Sequence, residues 1–252
     1  MPGRVHSYET MGALDGPGLR LVVFLQGCPL RCRYCHNPDT WAADGGKDTD
    51  VAEIVRRLLR LQPYFGRRGG LTLSGGEPLR QPEFCGELLR ECRRLGVHGA
   101  LDTGGGVWDE ACREVIDLAD LVILDIKAAD RAVWQALTGR DAFAALTGML
   151  AHLRRTSHPV WIRQVVAEGL NDRPEDMLKM LGLVRDLRLE RLELLPYHDL
   201  ARGKWERLGL PYAADDLKPP RPETLAKLRK VIADNRGDAG TATTTPGAGT
   251  TE

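Results

Sequence analysis

The sequence predicts an α/β protein with a parallel sheet, because short apolar strands alternate with amphipathic helices along the chain. Six runs of β-branched and aliphatic residues are typical of buried strands, and they span residues 20–26, 70–74, 97–102, 121–126, 160–166 and 191–196. Strands that alternate with helices of ordinary length indicate βα units, whose strands pair in parallel. Six such units fit either an open doubly wound sheet or a barrel-like parallel sheet, and periodicity alone does not choose between them.

Helical periodicity fills the segments between these strands. In residues 50–61, the apolar side chains recur at the spacing of one helix face, at Val51, Ile54, Val55, Leu58 and Leu59. Several helical segments begin with proline or an acidic first turn, which favours a helix start there. The further predicted helices span residues 82–95, 108–118, 141–155, 174–187 and 222–232.

Composition limits the classes of function. The chain has 252 residues, of which 42% are apolar and 28% are charged, as in an ordinary globular protein. Its 35 Lys and Arg balance its 35 Asp and Glu, so the net charge of 0 does not support binding to nucleic acid or to an anionic membrane. No apolar run approaches the roughly 20 residues of a membrane span, and the first residues lack the apolar segment of a signal peptide. We therefore expect a cytoplasmic protein.

The domain organisation follows from a change in composition near the end of the chain. Residues 1–236 contain all the predicted strands and helices without an internal linker, and we expect them to form one domain. Residues 237–252 consist largely of Gly, Ala and Thr with almost no apolar bulk, so burial cannot offset the entropy of ordering them. We predict a disordered tail.

Polar residues follow or end each of the predicted strands. They are Cys28, the segment 74–77, the segment 102–104, the segment 125–127, Arg163 and His198. Ligands of parallel α/β proteins bind at the carboxyl ends of the strands. The sequence therefore predicts that these residues form a single site.

Three of the six cysteines, Cys28, Cys32 and Cys35, lie in one C-x3-C-x2-C segment after the first predicted strand. A structural zinc site usually takes four ligands from paired motifs, and no second pair is present. Cys32–His36 matches the attachment motif of c-type haem, but that chemistry requires export. Simple packing of three adjacent thiols in a loop would leave them prone to oxidation. A four-iron cluster held by three thiolates keeps open positions on one iron, where a small molecule can bind.

The cysteine spacing and a second motif resemble the radical S-adenosylmethionine (radical SAM) superfamily. The second motif is Ser74-Gly-Gly-Glu-Pro78, which follows the second predicted strand. Two glycines allow backbone carbonyls to approach an ammonium group without obstruction by side chains. The resemblance implies a partial (β/α)6 TIM-like barrel, with a [4Fe–4S] cluster whose unique iron is chelated by S-adenosylmethionine.

Further segments resemble the family that activates glycyl radical enzymes. They are DGPGLR at 15–20, FLQGC at 24–28, YCHNPDTW at 34–41, LDIK at 124–127, VWIR at 160–163, LLPYH at 194–198 and Lys204-Trp205. The later segments are most similar to the subfamily that acts on pyruvate formate-lyase. Activators of other glycyl radical enzymes often carry a cysteine-rich insert after the first motif, whereas the roughly 40 residues between Cys35 and Gly75 contain no cysteine. One departure is Asp102-Thr-Gly-Gly-Gly106, where the family more often has Asn after Thr.

The resemblance implies an oxidoreductase that cleaves S-adenosylmethionine reductively, giving a 5′-deoxyadenosyl radical that abstracts hydrogen from a glycine of the partner. The implied protein substrate is pyruvate formate-lyase, and the implied electron donor is a flavodoxin or ferredoxin. The enzyme is expected to be a monomer. Activation of a different glycyl radical enzyme is the alternative within this class. A simple iron–sulfur electron carrier or redox sensor is a second class, but it would not need the motifs at 74–78, 125–127 and 196–198.

The resemblance also implies a role for each matching residue. The cluster ligands are Cys28, Cys32 and Cys35. The S-adenosylmethionine site comprises Tyr34, Cys35, His36, Gly75, Gly76, Glu77, Asp102, Asp125, Ile126, Lys127 and His198. A monovalent cation is expected at Asp102, Thr103 and Asp125. The partner's peptide is expected at Asp15, His36 and Arg163.

Structural roles remain open for several of these residues. Asp125 and Lys127 are two positions apart on a strand and can form an ion pair on one face. His198 can be a hydrogen-bonded core histidine, and Arg163 can be an ion-pair partner within the barrel. Asp15 can be a turn residue. The surplus cysteines, Cys85, Cys92 and Cys112, match no motif, and we expect them to be buried.

Overall fold

The six predicted strands form the parallel part of one mixed sheet in the computed structural model, which describes residues 2–236. In the described part of the chain the sheet has eight strands: β1 (Gly3–Gly12), β2 (Arg20–Leu25), β3 (Lys47–Thr49), β4 (Gly70–Gly75), β5 (His98–Thr103), β6 (Leu121–Asp125), β7 (Pro159–Val166) and β8 (Arg188–Pro196). Their order is β3-β1-β2-β4-β5-β6-β7-β8, and all pairs from β2 to β8 are parallel. The predicted parallel α/β fold is confirmed, and the strand order agrees with a partial barrel.

Two strands were not predicted, β1 and β3, and both pair antiparallel at one edge of the sheet. The sequence GRVHSYETMG of β1 mixes polar and apolar residues without regular alternation, and its pairing with β2 has two register shifts. The three residues of β3 are too few to show any period. These strands extend the sheet beyond the first parallel strand.

The described part of the chain has eight α-helices, and all but the short helix at Arg202–Arg207 contribute buried side chains to the large apolar core on the outer face of the sheet. They are α1 (Val51–Leu61), α2 (Pro82–Arg94), α3 (Glu110–Leu118), α4 (Arg131–Thr138), α5 (Phe143–Thr156), α6 (Pro174–Val184), α7 (Arg202–Arg207) and α8 (Pro222–Arg236). The sequence analysis missed α4 and α7. Asp130 caps α4 by accepting from the amides of Ala132 and Val133, and Gly139 ends it in the left-handed conformation, so local signals for this helix were present. Within residues 2–236, none of these helices combines the length and the apolar character needed to cross a bilayer.

The two faces of the parallel sheet differ in chemistry. The outer face carries the large apolar core, to which the helices contribute. The inner face carries a small separate apolar cluster of Ala100, Leu121, Ile123 and Trp161. Side chains alternate along a strand, so the next inward-facing residues toward the carboxyl ends are Asp102, Asp125 and Arg163. The inner face therefore changes from apolar to charged at the end where the site is predicted.

The predicted disordered tail, residues 237–252, lies outside the described residues, and the predicted domain boundary at 236 stays a prediction. Cys85, Cys92 and Cys112 are buried, with at most 1% of their surface exposed, as the sequence predicts.

Candidate functional site

The three clustered cysteines lie in a loop, residues 27–41, that follows β2 and whose two ends lie next to each other. The amide of Gly27 donates to the carbonyl oxygen of Thr40 at 2.8 Å, and the amide of Cys28 donates to that of Trp41 at 3.3 Å. We call this segment the cysteine loop. Its two ends are hydrogen-bonded to each other, so the cysteines lie on a closed loop at the carboxyl end of the first parallel strand.

All three cysteines are half-buried and free of disulfide bonds. Burial raises the pKa of the Cys28 and Cys32 thiols to about 12, and it also raises the pKa of Cys35. The thiols are therefore protonated at neutral pH in the protein alone, and metal binding must release these protons. Within residues 2–236, no three His, Cys, Asp or Glu side chains are close enough to hold a single metal ion. A cubane cluster binds each protein thiolate through a different iron, so three free cysteines in one loop fit a [4Fe–4S] cluster with one iron left open.

The Gly-Gly-Glu segment after β4 lies directly against the base of the cysteine loop. The amide of Gly76 donates to the carbonyl oxygen of Leu25 at 2.9 Å, and that of Glu77 donates to the carbonyl oxygen of Gly27 at 2.9 Å. Gly75 has a φ of +111°, which side chains rarely adopt, and a Cβ at Gly76 would be 2.5 Å from the Gly27 oxygen. Both glycines are therefore required for this close packing of two loops.

Glu77 is 1% exposed, and its carboxylate accepts hydrogen bonds from three groups of the protein. Its Oε1 accepts from Thr103 Oγ1 at 2.7 Å and from the Leu79 amide at 3.2 Å, and its Oε2 accepts from the Gly104 amide at 3.1 Å. Burial raises the pKa of Glu77 to about 7, although the three donors oppose that shift. The side chain thus joins the loop after β4 to the loop after β5, and its contact with the cofactor stays a prediction.

The buried polar atoms of the described residues that have no hydrogen-bond partner include Oδ1 of Asp125 and the hydroxyl of Tyr34, which lies in the cysteine loop. Lys127 lies close to both residues. Its Nζ donates to Oδ2 of Asp125 at 2.6 Å and lies 6.0 Å from the centre of the Tyr34 ring. The ion pair between Asp125 and Lys127 is therefore present. A buried polar atom without a partner is costly, so these two atoms favour a polar ligand at this place.

Arg163 is at the centre of a charged cluster on the inner face of the sheet, where it is 9% exposed. Its Nε is 3.2 Å from Oε2 of Glu193, and its Nη1 is 3.8 Å from Asp102 Oδ2 and 3.9 Å from Asp15 Oδ1. Its Nη2 donates to the carbonyl oxygen of Leu14. The predicted peptide-binding residues Asp15 and Arg163 thus meet, although Asp15 lies in the loop between β1 and β2 rather than after one of the parallel strands.

The three predicted cation ligands do not all lie on one face of the sheet. Asp102 accepts a 2.9 Å hydrogen bond from Ser74 Oγ on the inner face, and burial raises its pKa to about 6, with a further upward contribution from Asp125. The hydroxyl of Thr103, the next residue on the strand, donates to Glu77 instead. Asp102 and Asp125 share the inner face, and cation binding stays a prediction.

The imidazoles of His36 and His198 are stacked, with ring centres 4.5 Å apart and planes inclined by 14°. Burial lowers the pKa of His36, and His198 lowers it further. The structure thus brings His198, from the loop after β8, against the cysteine loop.

Ile126, another predicted residue of the site, is fully buried, and its amide donates to the Arg163 carbonyl oxygen at 2.9 Å.

Support for the cysteine loop comes partly from the two helices that sequence reasoning missed. The carbonyl oxygens of Leu137 and Thr138, at the end of α4, accept from the amides of Arg33 and Arg31 at 2.9 and 2.7 Å. From α7, the indole Nε1 of Trp205 donates to the Cys35 carbonyl oxygen. The motif Lys204-Trp205 was visible in the sequence, but its contact with a segment 170 residues away was not.

The family model of the radical SAM superfamily matches residues 22–181, which include the cysteine loop and the strands β3 to β7. A pyruvate formate-lyase-activating enzyme of Clostridium pasteurianum is 43% identical over 234 residues, covering 92% of this chain and 98% of the relative. Pyruvate formate-lyase 1-activating enzyme of Escherichia coli K12 is 38% identical over 234 residues, covering 91% of this chain and 95% of the relative.

Among solved structures, Streptococcus suis SuiB bound to S-adenosylmethionine has a TM-score of 0.67 at 16% identity. The match covers 91% of this chain and 51% of the SuiB chain. At this low identity the likeness shows the fold alone, and it agrees with the partial barrel that the sequence resemblance implies.

Proposed function

The chain belongs to the radical SAM superfamily and, within it, to the family of pyruvate formate-lyase-activating enzymes, and we propose that it generates a glycyl radical on pyruvate formate-lyase. The observation that carries this proposal is the 43% identity to an activating enzyme across nearly the whole of both chains. Activation of another glycyl radical enzyme is the second candidate.

The cofactors of the superfamily are a [4Fe–4S] cluster and S-adenosylmethionine, and the residues present fit both. Cys28, Cys32 and Cys35 would supply three thiolates to the cluster and leave one iron open. When bound, the two groups supply the one-electron cleavage of a sulfonium and the hydrogen-atom abstraction that leaves the radical on glycine. The protein's contribution is to hold, orient and desolvate these groups.

Several residues are placed to hold S-adenosylmethionine. The backbone of Gly75 and Gly76 has no side chain that would keep an ammonium group away. The ammonium of Lys127 is suited to a carboxylate, and the unpaired Oδ1 of Asp125 is suited to a donor such as a hydroxyl or an amine. Tyr34, in the cysteine loop, lies beside Lys127. The remaining predicted members of this site are His36, Glu77, Asp102, Ile126 and His198.

The peptide of the partner would enter from the side of the charged cluster. Asp15 retains 21% exposure of its side chain, whereas that of Arg163 retains 11%. Since Arg163 already binds Glu193, Asp15 and the Leu14 carbonyl oxygen, its contact with a peptide would replace existing bonds. His36 is part of the cysteine loop and would line the inner end of the same entrance.

The remaining parts of the proposal concern partners and location. A flavodoxin- or ferredoxin-type protein would supply the electron, the enzyme would act as a monomer, and it would reside in the cytoplasm. The family membership supports the need for a one-electron donor but does not select one. A monovalent cation at Asp102, Thr103 and Asp125 belongs to the same proposal.

The test is to reconstitute the cluster anaerobically and to mix the protein with S-adenosylmethionine, a reductant and purified pyruvate formate-lyase. Electron paramagnetic resonance should then show a glycyl radical on pyruvate formate-lyase. A variant of pyruvate formate-lyase that lacks the target glycine is the control and should give no signal. Cleavage of S-adenosylmethionine without radical on pyruvate formate-lyase, but with radical on another glycyl radical enzyme, would favour the second candidate.

A further inference from the structure

Helix α7 contacts the far half of the cysteine loop through two adjacent side chains. The indole Nε1 of Trp205, a residue that is 3% exposed, donates a 2.8 Å hydrogen bond to the Cys35 carbonyl oxygen. The Nζ of Lys204 lies 3.0 Å from Oδ1 of Asn37 and 3.4 Å from Oδ1 of Asp39. The segment that begins at the third cysteine is therefore bound to a helix that follows the last strand of the sheet.

The indole of Trp205 is itself held in one orientation by two aromatic rings. It packs edge to face against Trp41, at 5.1 Å between ring centres and 90° between planes, and against Tyr212, at 5.6 Å and 85°. Edge-to-face pairs of this kind contribute about 0.5–1.5 kcal/mol each beyond simple burial. Because the ring is fixed from two sides, its N–H group is directed at the Cys35 carbonyl without further loss of side-chain freedom.

The two halves of the cysteine loop are supported in different ways. The first half is held by backbone hydrogen bonds from Arg31 and Arg33 to the end of α4. The second half is held at Cys35 and Asn37 by side chains of α7, and at residues 39–41 also by Gln26 and by the backbone bonds at the base of the loop. Substitution can therefore remove the second support while the backbone bonds of the first remain.

We infer that Trp205 and Lys204 are positioning residues for the iron–sulfur cluster, because they fix the backbone of the third cysteine and of the two polar residues after it. This inference rests on the proposed function only in assuming that Cys28, Cys32 and Cys35 hold a cluster. Groups that orient metal ligands from the outer shell affect metal affinity by about 10- to 100-fold. Hydrogen bonds and solvent access around a cluster also set its reduction potential.

The first experiment measures hydrogen exchange in the cluster-free protein, under anaerobic and reducing conditions. Trp205→Phe removes the N–H donor and keeps an aromatic ring, so the amides of residues 35–41 should exchange faster. Trp134→Phe is the matched control, because Trp134 is fully buried on α4 and its Nε1 has no hydrogen-bond partner. The control should leave the exchange of residues 35–41 unchanged.

The second experiment measures the rate at which an iron chelator removes the cluster from the reconstituted protein. Trp205→Phe and Lys204→Met should each lose iron about tenfold faster than the wild type. Lys204→Arg, which keeps a charged donor, should restore slow iron loss. Lys230→Met is the control for Lys204→Met, since Lys230 forms a 2.9 Å ion pair with Asp234 on α8. The electron paramagnetic resonance spectrum of the reduced cluster should change in Trp205→Phe and not in Trp134→Phe.

The outcomes separate this inference from the proposed function. If the wild type binds no cluster, the proposed function fails, and the exchange experiment still decides whether α7 orders the loop. If the wild type binds a cluster and Trp205→Phe and Lys204→Met release iron at the rates of their controls, the inference is overturned. A fall in melting temperature that is equal in Trp205→Phe and Trp134→Phe, without faster iron loss in either, also overturns it.

Discussion

Thr103 Oγ1 donates a 2.7 Å hydrogen bond to Oε1 of Glu77, and this bond joins the loop after β4 to the end of β5. Both groups are almost fully buried, at 2% and 1% exposure. The glutamate also accepts from the Leu79 and Gly104 amides, so one side chain fixes the relative position of two loops at the site. Yet burial of a negative charge is costly, and the pKa of Glu77 is raised to about 7.

The raised pKa of Glu77 predicts that the cluster-free protein becomes less stable as the pH rises from about 4.5 to about 7. In that range the folded protein binds more protons at Glu77 than the unfolded chain does, so the free energy of unfolding falls with increasing pH. Glu77→Gln removes this titration. Urea denaturation at pH 5, 6 and 8 should therefore show the wild type losing stability relative to Glu77→Gln as the pH increases.

The control for this pH series is Glu83→Gln, which replaces an exposed glutamate in the first turn of α2. Its stability difference from the wild type should stay constant across the same pH range. If the difference in free energy of unfolding between the wild type and Glu77→Gln is also constant with pH, Glu77 is already ionised at pH 5 in the folded protein.

The cysteines divide into two groups that should respond differently to replacement by alanine. Cys28→Ala, Cys32→Ala and Cys35→Ala should each abolish the cluster, because a cubane with three protein ligands has no spare thiolate. Cys85→Ala, Cys92→Ala and Cys112→Ala should retain it and lower stability by about 1 kcal/mol, since these residues are buried in the core. Analysis of iron and sulfide after anaerobic reconstitution tests this, and a full cluster in Cys32→Ala would contradict the ligand assignment.

Substitution of Gly76 should affect the cysteine loop as well as cofactor binding. From the sequence, Gly76→Val is expected to block S-adenosylmethionine and to leave the cluster in place. In the structure, a Cβ at Gly76 would be 2.5 Å from the Gly27 oxygen and 3.1 Å from the Thr40 oxygen, so even Gly76→Ala must displace the base of the loop. We expect a stability loss of roughly 1–3 kcal/mol and a lower iron content.

Gly182→Ala is the control for Gly76→Ala, because a Cβ at Gly182 in α6 would meet no atom within 4 Å. It should leave the iron content unchanged. A normal iron content in Gly76→Ala, with weaker binding of S-adenosylmethionine by calorimetry, would contradict this. It would support the expectation from the sequence that substitution of Gly76 affects cofactor binding and not the cluster.

Arg163→Ala should destabilise the fold, in addition to any effect on the partner. The substitution removes the cation shared by the carboxylates of Asp15, Asp102 and Glu193, although Glu193 keeps its ion pair with Arg191. Breaking a buried ion pair in this way costs about 3–5 kcal/mol. Denaturation of the cluster-free protein measures the loss, with Arg94→Ala as control. Arg94 has 63% side-chain exposure and pairs with Glu91 on the surface, so its loss should cost less than about 1 kcal/mol.

Asp15→Asn is the better test of peptide recognition, because it keeps the size of the side chain and leaves Arg163 with Glu193 and Asp102. It should weaken formation of the glycyl radical on pyruvate formate-lyase while uncoupled cleavage of S-adenosylmethionine continues. Both products can be measured on one preparation, as the radical by electron paramagnetic resonance and as 5′-deoxyadenosine by chromatography. Equal losses in both assays would place Asp15 with the cofactor pocket or the fold instead.

Much of this protein was determined locally and could be predicted from the sequence. The three cysteines lie within eight consecutive residues, so their membership of one loop needs no tertiary information. The six parallel strands and six of the helices follow from periodicity, because burial of one face imposes a repeat on the chain. Because the carboxyl ends of parallel strands lie at one edge of a sheet, the sequence also predicted that the motifs at these ends form a single site.

Tertiary structure decided which partner each polar group has. Periodicity indicates that a residue is buried but does not identify what it contacts, and the decisive contacts are distant in sequence. The carbonyl oxygen of Leu14 accepts a hydrogen bond from Arg163, which is 149 residues away. The carbonyl oxygen of Cys35 accepts one from Trp205, which is 170 residues away. A buried charge or carbonyl must be paired by whatever group the fold brings to it, and that depends on the packing of the whole sheet. For this reason the support of the cysteine loop by α7 became visible only in three dimensions.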